Sequence, residues 1–318
     1  MVKTRRVWYP FLLLVRHPVA IVLVGLVVLF SLLYPQRFLT TLNLTTILKQ
    51  FVTLVLFALG PSMVVVTGSL DLSYVGIWML GGVLVWLLTP VLGLFAICVF
   101  PLLGLGTGFL VGVVHARGKV PSFILTLCLL VVYWGLTAAL SGGYSRTVKG
   151  YEFITASLVP YIPTAFLWSL PLIGAAIYLM VRTRVGLYLY AIGSNEEGAK
   201  LAGIPVEKYK ILAFTLSGLF TGLGTIVLFQ HLGGSVPVEL NLKNVVWPLV
   251  AIVLGGTPLV GGSGGPQRTL LGALTFSVFY RGLYLSLLHP EILQLLVGIL
   301  LIVSIVVGAR GLRGVEIT

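Results

Sequence analysis

The sequence predicts an all-α, polytopic membrane protein with about ten transmembrane helices and both termini cytoplasmic. Three observations carry this expectation. Only 9% of the 318 residues are charged and 58% are hydrophobic, against roughly 25% charged residues in soluble domains. No Asp, Glu, Lys or Arg occurs in residues 50–70, 72–116, 120–145, 153–181, 211–238 or 244–267, and each gap holds the ~20 apolar residues that one crossing needs. The basic residues, finally, fall unevenly between alternate loops. A soluble protein built from so many buried helices in series would leave no amphipathic ones to face water. Barrel strands of ~10 residues would alternate rather than run continuously apolar.

Taken in order, the helices are expected near 18–34, 50–68, 74–89, 91–114, 121–140, 162–181, 209–230, 245–261, 269–287 and 291–308. The first follows Lys3, Arg5, Arg6 and Arg16 and so imitates a signal peptide. Its end, Leu33-Tyr34-Pro35-Gln36, offers no small-residue cleavage site, so it reads as a retained helix after a cytoplasmic segment 1–17. The 72–116 gap holds two helices, divided near Thr89-Pro90. In the fourth, Gly104, Gly106, Gly108 and Gly112 include two Gly-x-x-x-Gly spacings, the mark of a close helix contact. With the N-terminus inside, Lys3, Arg5, Arg6, Arg16, Arg117, Lys119, Arg182, Arg184, Lys200, Lys208, Lys210, Arg268, Arg310 and Arg313 fall on the cytoplasmic side. Arg37, Lys49, Arg146, Lys149, Lys243 and Arg281 fall outside. That division of 14 against 6 is the expected bias. The net charge of +12 is therefore read as anchoring to anionic lipid, not as nucleic-acid binding. Cys98 and Cys128 lie in apolar runs and act as small hydrophobes.

One loop is written as a short helix in its own right: Gly193-Ser194-Asn195-Glu196-Glu197-Gly198-Ala199-Lys200-Leu201-Ala202-Gly203-Ile204-Pro205. Ser194 and Glu197 have capping-box spacing. Glu196 and Glu197 suit the positive end of the helix dipole and Lys200 the negative end. Gly203 supplies the stop, and Pro205 prevents continuation. So short a helix does not persist alone in water and needs a surface, either the lipid interface or a partner. Asp71 is the only Asp in the chain. It reads as a helix N-cap after Gly68 ends the preceding helix, or as a junction residue facing a translocation path with Ser73; the two roles are compatible. Gly255, Gly256, Thr257, Gly261 and Gly262 belong to a run that suits either a re-entrant segment or a tight helix–helix turn.

These segments resemble the permeases of ribose/xylose-type ATP-binding-cassette importers. Gly193-Ser194-Asn195-Glu196, Ala199 and Ala202-Gly203-Ile204 are similar to that family's Gly-Gly-Asn-Glu-x-x-Ala-x-x-Ser-Gly-Ile coupling loop, with Ser for Gly and Ala for Ser. Lys208-Tyr209-Lys210 and Ser217-Gly218 continue the likeness. Thr67-Gly68-Ser69-Leu70-Asp71-Leu72-Ser73 resembles its Thr-x-Gly-Ile-Asp-Leu-Ser motif. Leu254-Gly255-Gly256-Thr257-Pro258-Leu259-Val260-Gly261-Gly262 resembles its Leu-Gly-Gly-Thr-Ser-Leu-x-Gly-Gly motif. Asn43-Leu44 and Ile47-Leu48 fit its early Asn-Leu-x-x-Ile-Leu pattern. Two departures stand out: Phe279-Tyr280-Arg281-Gly282 where the family has an amide-containing turn, and Pro258 for Ser.

The resemblance implies that residues 1–318 form one permease domain, with 182–208 as a cytoplasmic coupling loop. Ser194, Asn195, Glu196, Glu197, Ala199, Lys200, Leu201 and Gly203 would contact the ATPase. It also implies separate ATPase subunits, an extracytoplasmic solute-binding protein and a second permease chain, equal or different, in the cell membrane. No Gly-x-x-x-x-Gly-Lys-[Ser/Thr] loop is present, so no cofactor is expected on this chain; ATP and Mg belong to the partner. His17, His115, His231 and His289 show no metal-ligand spacing. The family's solutes include pentoses, hexoses, a sugar-like signalling molecule and nucleosides, and branched-chain amino acid permeases are distant relatives. An ion-coupled secondary transporter is the alternative of a different class, although such proteins keep an intramembrane carboxylate and only Asp71 qualifies. A membrane enzyme would need clustered polar residues that the chain lacks.

Overall fold

A computed structural model describes residues 18–151 and 161–313. The expected cytoplasmic segment 1–17 and Glu152 lie outside the described residues. Among the described residues twelve α-helices run in the order α1 (Pro18–Leu33), α2 (Thr41–Val66), α3 (Ser73–Leu92), α4 (Val99–Gly118), α5 (Ser122–Ser141), α6 (Thr164–Arg182), α7 (Arg184–Ser194), α8 (Glu196–Leu201), α9 (Val206–His231), α10 (Leu242–Leu254), α11 (Pro266–Leu285) and α12 (Pro290–Arg313). Among the described residues five stretches are long and apolar enough to cross a membrane: Thr41–Val66, Ser73–Gly118, Ser122–Ser141, Thr164–Arg182 and Val206–Phe229. The second folds back on itself, α3 turning through a 3-10 segment at Gly93–Cys98 into α4. Pro18–Leu33, Leu242–Leu254 and Glu291–Val306 are shorter apolar helices. This is a helical, multi-pass membrane protein.

A helix stands at each of the ten expected positions, but α10, at 13 residues, is shorter than a crossing needs and α11 is not among the stretches apolar enough; several ends differ as well. α2 begins at Thr41 rather than near 50, because the Thr40 side chain caps it by accepting from Asn43 N–H at 3.3 Å. The division between α3 and α4 comes at Gly93, whose φ of 55° ends the helix, not at Thr89-Pro90, which stays helical. α10 stops at Leu254, short of the expected 261. Two features had no counterpart in the sequence reading: the separate helix α7, and a two-residue ribbon pairing β1 (Arg146–Thr147) antiparallel with β2 (Ser235–Val236).

The core is layered around α2 and α9. In the most apolar window of α2, 83% of residues are buried by protein, against 17% in α5, which leaves α5 to lipid. α9 packs on α4 through the expected glycine seam. A Cβ on Gly104 would collide with the Gly218 carbonyl, one on Gly108 with the Phe214 carbonyl, and one on Gly222 with the Phe100 carbonyl. With no hydrophobic drive between helices in lipid, such close approach is what holds them. Gly106, the remaining member of the run, faces away and meets nothing within 4 Å.

The loops separate onto two faces. On one, Leu70 N–H donates to Ser122 Oγ at 3.0 Å and Ser69 Oγ lies 3.2 Å from His115 Nε2. On the opposite face, Thr45 donates to the Tyr161 carbonyl at 2.8 Å, and Arg281 Nε donates to Asn43 Oδ1 at 2.6 Å. Trp134 Nε1 donates to the Val238 carbonyl at 2.8 Å on that side.

Candidate functional site: a three-way backbone junction under a capped helix

Three segments far apart in sequence meet on the first of these faces. α2 ends where Thr67 donates its hydroxyl to the Val64 carbonyl at 2.7 Å and Gly68 turns the chain with φ 75°. The loop 255–265 returns from α10 to α11 as a tight turn. Its Gly262 N–H donates to the Val66 carbonyl at 2.8 Å. Gly193, at the end of α7, lies against the same two groups: a Cβ there would collide with the Val66 carbonyl and sit 2.6 Å from Gly262 N. Gly261 has φ 89°, and a Cβ on it would lie 2.5 Å from Gly68 N. The junction is thus made almost wholly of backbone, and glycine is required because nothing larger fits between the strands of chain.

Side chains brace the turn from within. Buried Thr257 accepts from Gly265 N–H at 3.0 Å. Tyr190 of α7 donates its hydroxyl to the Gly264 carbonyl at 2.8 Å, and Gln267 Nε2 donates to the same hydroxyl at 2.9 Å. Arg268 donates to the Gly256 carbonyl at 3.0 Å. A Cβ on Gly255 would collide with the Arg268 carbonyl, so α10 and α11 cross closely at the start of the turn.

α8 stands directly on this junction. Asn195 is its N-cap and accepts from Gly198 N–H at 2.9 Å. Its end is a Schellman closure: Gly203, at φ 80°, donates to the Lys200 carbonyl at 2.9 Å, and Ile204 donates to the Ala199 carbonyl at 3.0 Å. Ala199 is buried in a small apolar cluster with Ile192 and Val206. Glu196 pairs with Lys200 at 2.9 Å and with Lys210 of α9 at 2.6 Å. The Lys210 hydrogen bond, ahead of the Lys200 one, holds the Glu196 carboxyl below its ordinary value despite partial burial. Leu201 is left 91% exposed. Beside α8 an open groove of about 590 Å³ is lined by Arg117, Lys200, Glu207 and Lys208.

The family model described as branched-chain amino acid transport system / permease component matches residues 43–305, most of the chain and all three junction segments. The chain belongs to this permease family. It is 32% identical over 274 residues to the ribose import permease protein of Escherichia coli K12, covering 83% of this chain and 84% of the relative. It is 30% identical over 305 residues to the fructose import permease protein of Rhizobium meliloti, covering 90% and 83%. The autoinducer 2 import system permease protein of Yersinia enterocolitica is 32% identical over 263 residues, covering 79% and 71%. No solved structure matches the chain.

Within this permease the expected site residues occupy definite places. Ser194 does not cap α8 as the capping-box spacing suggested. It closes α7, donating to the Tyr190 carbonyl at 2.9 Å, while Asn195 takes the cap and Glu197 stays exposed. α8 is expected to need a surface, the lipid interface or a partner, and within the chain Ala199 and Glu196 already tie it to α7 and α9. Asp71 is 1% exposed and lies one residue before the N-cap, Leu72. It accepts from Ser73 N–H at 2.9 Å and Ser73 Oγ at 2.6 Å, so it still ties down the first turn of α3. Its other oxygen accepts from Ser217 of α9 at 2.7 Å. Sequence reasoning missed Ser217 in this role, along with Tyr190 and Gln267. Among the described residues no group of three His, Cys, Asp or Glu is placed to hold a metal ion.

Proposed function

We propose that this chain is the permease subunit of an ATP-driven importer for a sugar or sugar-like solute, crossing the cell membrane ten times with both termini cytoplasmic. The observation that carries the reading is α8. It has complete start and stop signals, exposes Leu201 and Glu197 outward, and stands on a junction joining α2, α3, α7, α10 and α11. A push on α8 therefore reaches five helices through backbone contacts. Separate ATPase subunits would supply that push, with Ser194, Asn195, Glu196, Glu197, Ala199, Lys200, Leu201 and Gly203 as the coupling element. Because Glu196 is already neutralised by two lysines, the free acidic charge offered to the ATPase is Glu197.

The named relatives import ribose, fructose and autoinducer 2, which favours a hydroxylated solute over a branched-chain amino acid. An extracytoplasmic binding protein would capture the solute, and a second permease chain would complete the path. An ion-coupled carrier is disfavoured because Asp71 is fully used by three donors within the chain. The test is uptake into vesicles energised with ATP alone. It should proceed without an ion gradient, and Ala199→Pro should abolish it and the ATPase copurification while leaving membrane insertion intact. A cysteine at Ser194 should be shielded from external label in intact cells. Uptake that requires an ion gradient, or normal ATPase association in Ala199→Pro, would overturn the reading.

A further inference from the structure

Among the described residues four buried polar atoms lack a hydrogen-bond partner, Gln50 Nε2, Gln267 Oε1, Trp78 Nε1 and Thr221 Oγ1, and of these only Trp78 and Thr221 belong to residues buried as a whole. Thr221 of α9 is 1% exposed and Trp78 of α3 is 5% exposed. Neither the Thr221 hydroxyl nor the Trp78 indole N–H has a hydrogen-bond partner among the described residues. An orphaned buried donor is costly, and a bilayer core offers no water to relieve it. Neighbouring hydroxyls and another indole are satisfied. On the same helix Thr215 and Thr225 donate to the Ile211 and Thr221 carbonyls, each at 2.8 Å. Trp134 likewise finds the Val238 carbonyl. Ser217 donates across to Asp71, so Thr221 is the hydroxyl of that stretch left without a partner among the described residues.

The two orphans share a neighbourhood. Thr221 follows Ser217 by one turn on the same face of α9. Trp78 follows Tyr74 by one turn on α3 and packs edge-on against Phe57 of α2, with ring centroids 5.4 Å apart. Both therefore belong to the wedge between α2, α3 and α9, and the Asp71–Ser217 bridge closes that wedge on the junction side.

We propose that Thr221 and Trp78 receive hydroxyl groups of the solute during its passage, just beyond the Asp71–Ser217 bridge. This rests on the sugar reading above and deepens it. A threonine hydroxyl both donates and accepts, and an indole N–H donates. With the Phe57 and Trp78 rings beside them, they offer a polyol what it needs: neutral hydrogen bonds and an apolar face. A zwitterion would need a free charge, and the one carboxylate nearby is already satisfied.

The test uses the permease reconstituted with its ATPase and binding protein in proteoliposomes, with labelled ribose and fructose as probes. Trp78→Phe and Thr221→Val should each lower ATP-driven uptake about tenfold, the loss of one hydrogen bond to a polar ligand. The midpoint of Thr221→Val should stay level or rise, because an unsatisfied polar group has been removed, and that of Trp78→Phe, which also leaves a small void, should fall by no more than a few degrees. Thr225→Val, whose hydroxyl serves its own helix, should transport within about twofold of wild type. Uptake near wild type in both Trp78→Phe and Thr221→Val overturns the proposal. So does a loss of uptake matched by a larger fall in midpoint, which marks the groups as structural. Failure of the wild type to take up either sugar with ATP overturns the importer reading itself.

Discussion

Glycine does two different jobs in this molecule, at the α4–α9 seam and at the junction beneath α8. In the seam, Gly104, Gly108, Gly218 and Gly222 sit inside regular helix and serve only by lacking a Cβ, so that two rods touch along their length. At the junction, Gly68, Gly261 and Gly262 adopt positive φ, and the contacts run between chain ends. A seam repeated over several turns moves as one body. A junction of ends, closed by the single Gly262-to-Val66 bond and a few braces, can open without unfolding a helix. The same residue type thus builds a seam between rods and a junction between chain ends.

The comparison can be broken or sharpened by substitution. The largest effect is expected from Gly218→Ala, whose methyl would collide with the Gly104 carbonyl. Overpacking should cost roughly 3 kcal/mol, read as a large fall in thermal midpoint with uptake lost alongside. Gly193→Ala comes next: a methyl against the Val66 carbonyl should abolish uptake while lowering the midpoint less, since it parts chain ends rather than whole helices. Equal loss of midpoint in both would erase the distinction between seam and junction.

Asp71→Leu should also stop transport, whereas Asp71→Asn, whose one oxygen can still accept from Ser73 while its NH2 donates to the Ser217 hydroxyl, should keep much more of it; the two are compared at matched expression. A smaller effect attaches to Glu196. Its carboxyl is held below the ordinary value of 4.5, so its contribution to seating α8 is complete above that pH and is lost as pH falls through the depressed value. Hydrogen-exchange protection of α8 should drop in that acid range. Glu196→Gln should show the lower protection already at neutral pH, by less than about fivefold for so exposed a pair. The smallest effect is Gly106→Ala, which meets nothing within 4 Å and should leave both midpoint and uptake unchanged.

Much of this architecture is readable from the chain. The ten helices follow from charge-free runs, the seam from glycine spacing, and the stop at Gly203 from the absence of any other residue suited to φ 80°. The helix ends were harder to read because polar residues conceal them. Thr45, Thr46 and Lys49 read as loop but belong to α2, since a helix capped at Thr40 carries them up to the apolar run. Ser194 and Asn195 are both good caps, and only the end of α7 decides between them. α7 was hidden because 11 residues with buried Gly186, Leu189 and Ile192 show too few turns to set a period. The junction was not legible at all. Its partners lie far apart in sequence, Ser194 and Gly262 by 68 positions and Asp71 and Ser217 by 146, separations at which no local pattern carries information.

α8 is fastened not to the junction alone but also to the first turns of α9, through Lys210 and Val206. That helix has 26 residues, close to 39 Å of rod at 1.5 Å per residue, and its far end leads straight into the β2 strand of the opposite face. Under the coupling proposed above it would act as a lever with its handle at α8. A tilt of about 5° at the handle would carry the far end some 3 Å sideways, about the size of a water molecule, across the whole thickness of the bilayer.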